Sequence, residues 1–166
     1  MNDVDAVDRI LAEWARERPE LDTAPAAIIG RLGRLHSHLD SRLERVFKQF
    51  GLTRSGWDVL AALRRAGKPY RLPQKALMGA LMRASGTTSF RIDRLESRGL
   101  VRRIADPNDG RGVIVALSAA GLRLADAVAP VHLANEAEIL RVLTPAEQAA
   151  MVPLLRKLLL SLEQSG

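Results

Sequence analysis

Apolar residues recur at helical spacing along most of the chain, and this pattern predicts a mainly α-helical protein. In the first segment, for example, Val7, Ile10 and Trp14 fall on one side of a helix. Proline and glycine residues separate the periodic segments, as residues that end helices do. The predicted helices cover residues 4–18, 26–50, 57–66, a short stretch through 76–81, 86–98, 118–141 and a final segment beginning at 145.

Two β-rich stretches interrupt this helical pattern. Residues 100–104 and 113–117 contain alternating or β-branched side chains, and they flank the polar stretch DPNDGRG at 106–112. This arrangement predicts a β-hairpin with a long, glycine-containing loop. Short helices followed by a two-stranded wing are typical of the winged helix-turn-helix. We therefore predict a mainly α fold with a two-stranded β wing.

The C-terminal segment predicts a helix that is buried between two copies of the chain. Thr144 and Glu147 form a capping box around Pro145, which is a strong signal for the start of a helix. The helix that follows is rich in leucine on all sides, whereas the surface helix of a monomer keeps a polar face. Dimerisation would cover these leucines. Packing within a single chain is the other explanation.

Composition and charge restrict the kind of protein further. The 166 residues suffice for one domain with appended helices, and cysteine is absent, which argues against disulfides and thiolate chemistry. The acidic N-terminus is unlike a secretory signal and apolar stretches are too short to span a membrane, so we expect a cytoplasmic protein. The net charge of +6 suggests a nucleic-acid partner, although genomic composition also produces arginine-rich chains.

The chemistry of an enzyme is not evident in the sequence. The motifs GxSxG and GxGxxG and the phosphate-binding Walker loop do not occur. His36 and His38 are two positions apart on a predicted helix, so their side chains diverge and cannot bind one metal ion. Asp58 could act as a general base, but no nucleophile accompanies it. We expect no catalytic site, no metal and no cofactor.

The spacing of three motifs resembles the MarR family of bacterial transcription regulators. The stretch LESRGLV at 95–101 is followed by DGR at 109–111 and by VIVALSAAG at 113–121. The resemblance covers roughly residues 30–160 and implies a homodimer with interlocking terminal helices. It divides the chain into an extra N-terminal helix and linker, dimerisation helices and a winged helix-turn-helix domain, at residues 1–24, 25–50 with 118–166, and 51–117 respectively.

The same resemblance implies a site for double-stranded DNA, with the helix at 86–98 in the major groove and the wing in the minor groove. A wing-tip arginine, Arg111, suits a narrow minor groove, and Asp109 could hold its guanidinium in place. Phe90 could contact a thymine methyl group. The residues expected to contact DNA are Ser85, Thr87, Ser89, Phe90, Arg94, Asp109 and Arg111, with Arg83, Arg98, Arg102 and Arg103 near phosphates.

Charged residues at positions that should face the protein indicate a second site. Arg91 falls on the apolar stripe of the predicted recognition helix, where a buried guanidinium needs an anionic or hydrogen-bonding partner. Asp58 and Arg65 share one stripe of an earlier helix and are separated by roughly 10 Å of helical rise. A small anion could lie between such charges, with Trp14 as an aromatic lid.

These residues resemble the urate-responsive branch of the MarR family, the HucR and PecS type. The resemblance implies that Trp14, Asp58, Arg65 and Arg91 bind an anionic purine, with urate the expected effector. The bound anion would repel Asp58, and Arg91, linked to Arg103, would relay the displacement to the recognition helix and release a repressor from DNA.

The sequence also permits other interpretations of the second site. The charges could form an internal ion-pair network that fixes helix angles without any ligand. The effector could be a different aromatic acid. A winged helix that serves only dimerisation or interaction with partners is a third interpretation.

Overall fold

The computed structural model describes residues 4–81, 88–107, 109–110 and 112–164. The predicted helices are present within these residues, with bounds close to those expected from the apolar periodicity. The elements in chain order are α1 (Ala6–Glu17), α2 (Ala24–Gln49), α3 (Arg54–Arg65), β1 (Arg71–Pro73), α4 (Gln74–Ala80), α5 (Thr88–Glu96), β2 (Val101–Ala105), β3 (Val113–Leu117), α6 (Ala119–Leu140) and α7 (Pro145–Glu163). The mainly helical fold with a small antiparallel sheet is therefore confirmed.

The chain divides into two compact units, residues 1–45 and 46–166. In the first unit, Asp5 caps α1 by accepting hydrogen bonds from the backbone N–H groups of Val7 and Asp8 at 2.7 and 2.9 Å. Arg31 of α2 donates to Asp5 at 2.9 Å and to Asp8 at 2.5 Å. Val7 is buried beside Gly30, where an added Cβ would lie 3.3 Å from Val7 Cγ1. These contacts fix the start of α1 on α2.

The second unit is built around α3. Thr53 caps this helix by accepting a hydrogen bond from the backbone N–H of Gly56 at 3.1 Å. Val59, Leu60 and Leu63 have no solvent exposure, and α3 packs against α4, α5, α6 and the sheet. Because α3 is buried on most of its surface, it forms the core to which the other elements of this unit attach.

The sheet contains a strand that the two-stranded prediction lacks. Its order is β1-β3-β2 with both pairs antiparallel, and Leu72 of β1 lies opposite Val115 of β3. Pro69 and Pro73 indicate a loop in the sequence, and the strand is only three residues long. Its extended conformation comes from pairing with β3, which a local pattern does not reveal. Pro73 lacks an N–H group and ends the strand.

A tight junction joins the end of α5 to the start of α6. Gly99 adopts a φ of +67°, which reverses the chain after α5. Ser118 donates from its hydroxyl to the Gly99 carbonyl at 2.6 Å and accepts from the Gly121 N–H at 2.9 Å. A Cβ built on Gly121 would lie 1.9 Å from the Leu100 carbonyl oxygen. Only glycine fits at position 121, and this explains the glycine that ends the third sequence motif.

We expect the Gly121→Ala variant to be strongly destabilised, because its methyl group would overlap a backbone oxygen that cannot move aside. Overpacking typically costs about 1–3 kcal/mol, and we expect a loss at the upper end of that range. Urea denaturation measures it. The control is Gly79→Ala in α4, where an added Cβ meets nothing within 4 Å. Equal midpoints for the two variants would contradict the close approach at position 121.

Candidate nucleic-acid interface

Helix α5 has a buried face and an exposed face, as the sequence predicts. Ile92 has no exposure and Leu95 is 3% exposed, so both belong to the core of the second unit. Phe90, by contrast, is 67% exposed, and Arg94 is also exposed. A largely exposed phenylalanine beside an exposed arginine makes the outer face of α5 a candidate contact surface.

Basic side chains from α5 line a cleft beside the N-terminal end of α3. The described lining residues include Phe90, Arg91 and Arg94 of α5, Arg98 just after the end of this helix, and Thr53 before α3. Arg98 donates to the Gly51 carbonyl at 2.7 Å, which holds one guanidinium at the edge of the cleft. Three guanidinium groups near a helix N-terminus produce a positive surface that favours phosphate.

Arg103 of β2 makes the densest set of ion pairs in this region of the described structure. Its guanidinium donates to Asp93 and to Glu96, both at 2.5 Å, and to the Ser89 carbonyl at 3.3 Å. Its backbone N–H also donates to Glu96 at 2.8 Å. Burial lowers the pKa of the Arg103 guanidinium, but the bonds to Asp93 and Glu96 outweigh burial and raise it. Arg103 therefore remains charged.

Seven residues are expected to contact DNA directly, and four of them lie at described positions. Ser89 is exposed on α5, where its hydroxyl is 3.5 Å from the Gln74 amide nitrogen. Asp109 is exposed in the wing loop, and the backbone N–H of Gly112 donates to its carbonyl at 2.8 Å. Phe90 and Arg94 occupy the exposed face of α5. Ser85, Thr87 and Arg111, with Arg83, lie outside the described residues.

The residues expected to bind an effector occupy three helices. Asp58 is half-buried on α3, and Arg65 is exposed near the end of that helix, 3.4 Å from the Ala80 carbonyl. Arg91 is half-buried on α5 and lines the basic cleft, whose described lining does not include Asp58. Trp14, on α1 of the first unit, is 48% exposed. Whether Trp14 covers these charges stays a prediction.

Some contacts in this region of the structure are absent from the sequence prediction. The acidic partners of Arg103, Asp93 and Glu96, are identified only by the structure; their spacing of ten and seven residues before Arg103 gives a weak signal. The bond from Arg98 to the Gly51 carbonyl joins positions 47 apart, which no local pattern shows. Among the described residues, no group of three His, Cys, Asp or Glu side chains could hold a metal ion. In the same residues, no helix has the length and apolar character to cross a bilayer.

Comparison with known proteins shows that this chain is similar to transcription regulators. The sequence model of the MarR family matches residues 50–112, which include α3, α5 and β2. The HTH-type transcriptional regulator PecS of Dickeya dadantii is 36% identical over 149 residues, covering 90% of each chain.

Two solved structures share the fold. A mutant of Escherichia coli MarR, complexed with operator DNA, is 28% identical with a TM-score of 0.72, and the match covers 82% of this chain and 97% of that chain. Bordetella bronchiseptica BpsR, in a structure that concerns regulation of its DNA binding by 6-hydroxynicotinic acid, is 30% identical with a TM-score of 0.63; the match covers 77% and 98% of the two chains.

The similarity to PecS over 90% of each chain, the family match across the winged helix and the shared fold agree with the exposed face of α5, where Phe90 and Arg94 lie. The matched proteins are transcriptional regulators, so the expectation of a non-enzymatic protein is confirmed. The chain belongs to the MarR family of DNA-binding transcriptional regulators.

Proposed function

We propose that this protein is a homodimeric repressor that binds a palindromic operator and is released from it by a small anionic purine, urate. The observation that carries the DNA-binding part is the exposed Phe90 on a helix whose neighbouring positions are arginines. Its opposite face is anchored in the core through Ile92 and Leu95. A rigid helix with an aromatic and basic outer face fits the major groove of DNA.

The dimer rests on α7, which has no buried residue in the single chain. Its apolar side chains are exposed on several sides; the large ones are Met151, Val152, Leu154, Leu155, Leu159, Leu160 and Leu162. Such a helix needs an apolar surface to cover it. A second copy provides a self-complementary cover, because a two-fold axis brings the same patch from both chains together. Two-fold symmetry also predicts operator half-sites about one helical turn apart.

The effector site uses Asp58, Arg65 and Arg91. Asp58 lies half-buried in the helix that forms the core of its unit, so an anion beside it would repel a charge that water screens poorly. Arg65 is exposed and can donate charge-assisted hydrogen bonds to a flat anion. Arg91, on α5 itself, is the residue through which a change at Asp58 would reach the DNA-contacting face. Trp14 is proposed as the stacking partner.

The second candidate effector is an aromatic acid other than urate. The structure of BpsR concerns regulation of DNA binding by 6-hydroxynicotinic acid, and that protein is 30% identical to this chain. An aromatic carboxylate is a flat anion that can accept charge-assisted hydrogen bonds from an arginine, and urate, whose charge is spread over its ring, is another. Gel shifts with each compound separate the two candidates.

Replacing Phe90 with alanine is expected to weaken operator binding at least fivefold without changing the melting temperature, because the ring contacts the partner surface and not the core. Fluorescence anisotropy with a labelled operator duplex measures the affinity. Val142→Ala is the control, since Val142 is 86% exposed and belongs to the connection between α6 and α7. Unchanged affinity for the Phe90 variant would contradict the placement of this face on DNA.

Placing charge on α7 is expected to convert the dimer to a monomer. In the double variant Leu155→Glu and Leu159→Glu, two carboxylates would have to be buried in the proposed interface, which is strongly unfavourable. Analytical ultracentrifugation measures the mass, and operator affinity should fall with it. Lys157→Glu, at an exposed polar position on the same helix, is the control. A double variant with the same mass as the wild type would contradict a dimer formed through α7.

Urate is expected to lower operator affinity at least tenfold, which requires the effector to prefer the released state by about 1.4 kcal/mol. Gel shifts use the intergenic DNA upstream of the protein's own gene, with urate, hypoxanthine or salicylate added. Asp58→Asn and Arg65→Gln should keep DNA binding and lose the response, whereas Arg123→Gln, an arginine on α6 outside the proposed site, should keep both. Operator binding unaffected by saturating urate but released by salicylate would favour the second candidate.

A further inference from the structure

The ion pairs of Arg103 join the DNA-contacting helix to the wing. Ser89, Asp93 and Glu96 follow one another at four and three residues along α5, so their groups share one side of that helix. Arg103 reaches all three from the middle of β2, where it lies opposite Val115 of β3. Because β3 continues from the wing loop, this single side chain links α5 to both strands of the wing.

The position of the two carboxylates calls for a physical explanation. Between residues 88 and 105 the sequence contains two acidic residues, Asp93 and Glu96, and both contact Arg103. A carboxylate on a helix that approaches phosphates repels them, so each one reduces the affinity for any DNA. On electrostatic grounds alone, neutral side chains at these positions would bind nucleic acid more strongly. A role in geometry accounts for their presence.

The bonds have the features of an orienting contact. Glu96 accepts from both the backbone N–H and the guanidinium of Arg103, so β2 is held at two points. The Arg103 side chain is 27% exposed, which makes it the least exposed member of the group. An arginine that binds two carboxylates restricts the rotation of α5 relative to β2, because its planar guanidinium must stay aligned with both acceptors.

We propose that Asp93, Glu96 and Arg103 form a positioning clamp that sets the angle between α5 and the wing, so that both elements meet adjacent grooves of a specific operator. The clamp rests on the proposed binding of DNA through α5 and the wing. It strengthens binding to the operator relative to other sequences, whereas its two negative charges weaken binding to unrelated DNA. Its members act on DNA through the orientation of α5 and β2.

The clamp and simple electrostatics predict opposite results for one substitution. Glu96→Gln removes a negative charge near the phosphates, so electrostatics alone predicts stronger binding to every duplex. The clamp predicts weaker binding to the operator, because α5 and β2 lose their fixed angle. The operator duplex is first selected by the wild-type protein from a randomised library. The measured quantity is a discrimination ratio, which is the affinity for this duplex divided by the affinity for an unrelated duplex of equal length.

We expect Glu96→Gln to reduce this ratio about tenfold and Asp93→Asn about threefold, since Asp93→Asn leaves both Glu96 bonds in place. Glu163→Gln, at the exposed end of α7, makes the same change in net charge and should leave the ratio unchanged. Arg102 is exposed on the same strand as Arg103. Arg102→Gln should lower the affinity for both duplexes equally and reduce the salt dependence of binding by the equivalent of about one phosphate contact. Affinities are measured across a potassium chloride series.

A double variant tests whether the residues act together. Arg103→Gln combined with Glu96→Gln should discriminate no worse than Arg103→Gln alone, because the pair is lost already in the single variant. Melting temperatures identify variants that fail to fold, and in that case Asp93→Asn provides the measurement. Equal ratios for Glu96→Gln, Asp93→Asn, Glu163→Gln and the wild type would overturn the clamp. Failure of the wild-type protein to select any duplex would instead overturn the DNA-binding proposal on which it rests.

Discussion

The structure depends on the contact between the Leu100 carbonyl and Gly121, where two chain segments approach too closely for any side chain. Helix α5 has nine residues, and among its described side chains only Ile92 and Leu95 are buried. Two buried side chains attach a short helix only weakly to a core. The junction after Gly99 compensates, because Ser118 bonds to the backbone on both sides of it. Helix α5, the strand that follows and the start of α6 are thereby fixed to one another.

Much of the second unit could be predicted from the sequence because its elements carry local signals. The capping box of Thr144 and Glu147 and the glycine after α5 each mark a boundary within a few residues, and the structure contains both. Strand β1 could not be predicted, because its three residues owe their extended form to pairing with β3. The motif around Gly121 is visible in the sequence. The sequence does not show why glycine is needed there, because the backbone oxygen that excludes a side chain belongs to a residue 21 positions earlier.

The candidate site was predicted as a set of residues but not as a network. Burial of Ile92 and exposure of Phe90 follow from helical periodicity, which the sequence displays directly. The partners of Arg103 depend on how β2 folds back along α5, which is determined by tertiary structure and not by a local sequence pattern. Arg91 is half-buried, and no charged residue in the described part of the chain is fully buried. A guanidinium that keeps some contact with water avoids most of the desolvation cost expected for a core position.

The central position of β3 in the sheet has a consequence for how this scaffold can diversify. Strand β3 is held on both sides, by β1 and by β2, so the base of the hairpin is secured independently of its tip. Changes in the length or composition of the connecting loop need not disturb the pairing of the three strands. The loop on this hairpin can therefore change during evolution while the sheet beneath it keeps its pairing.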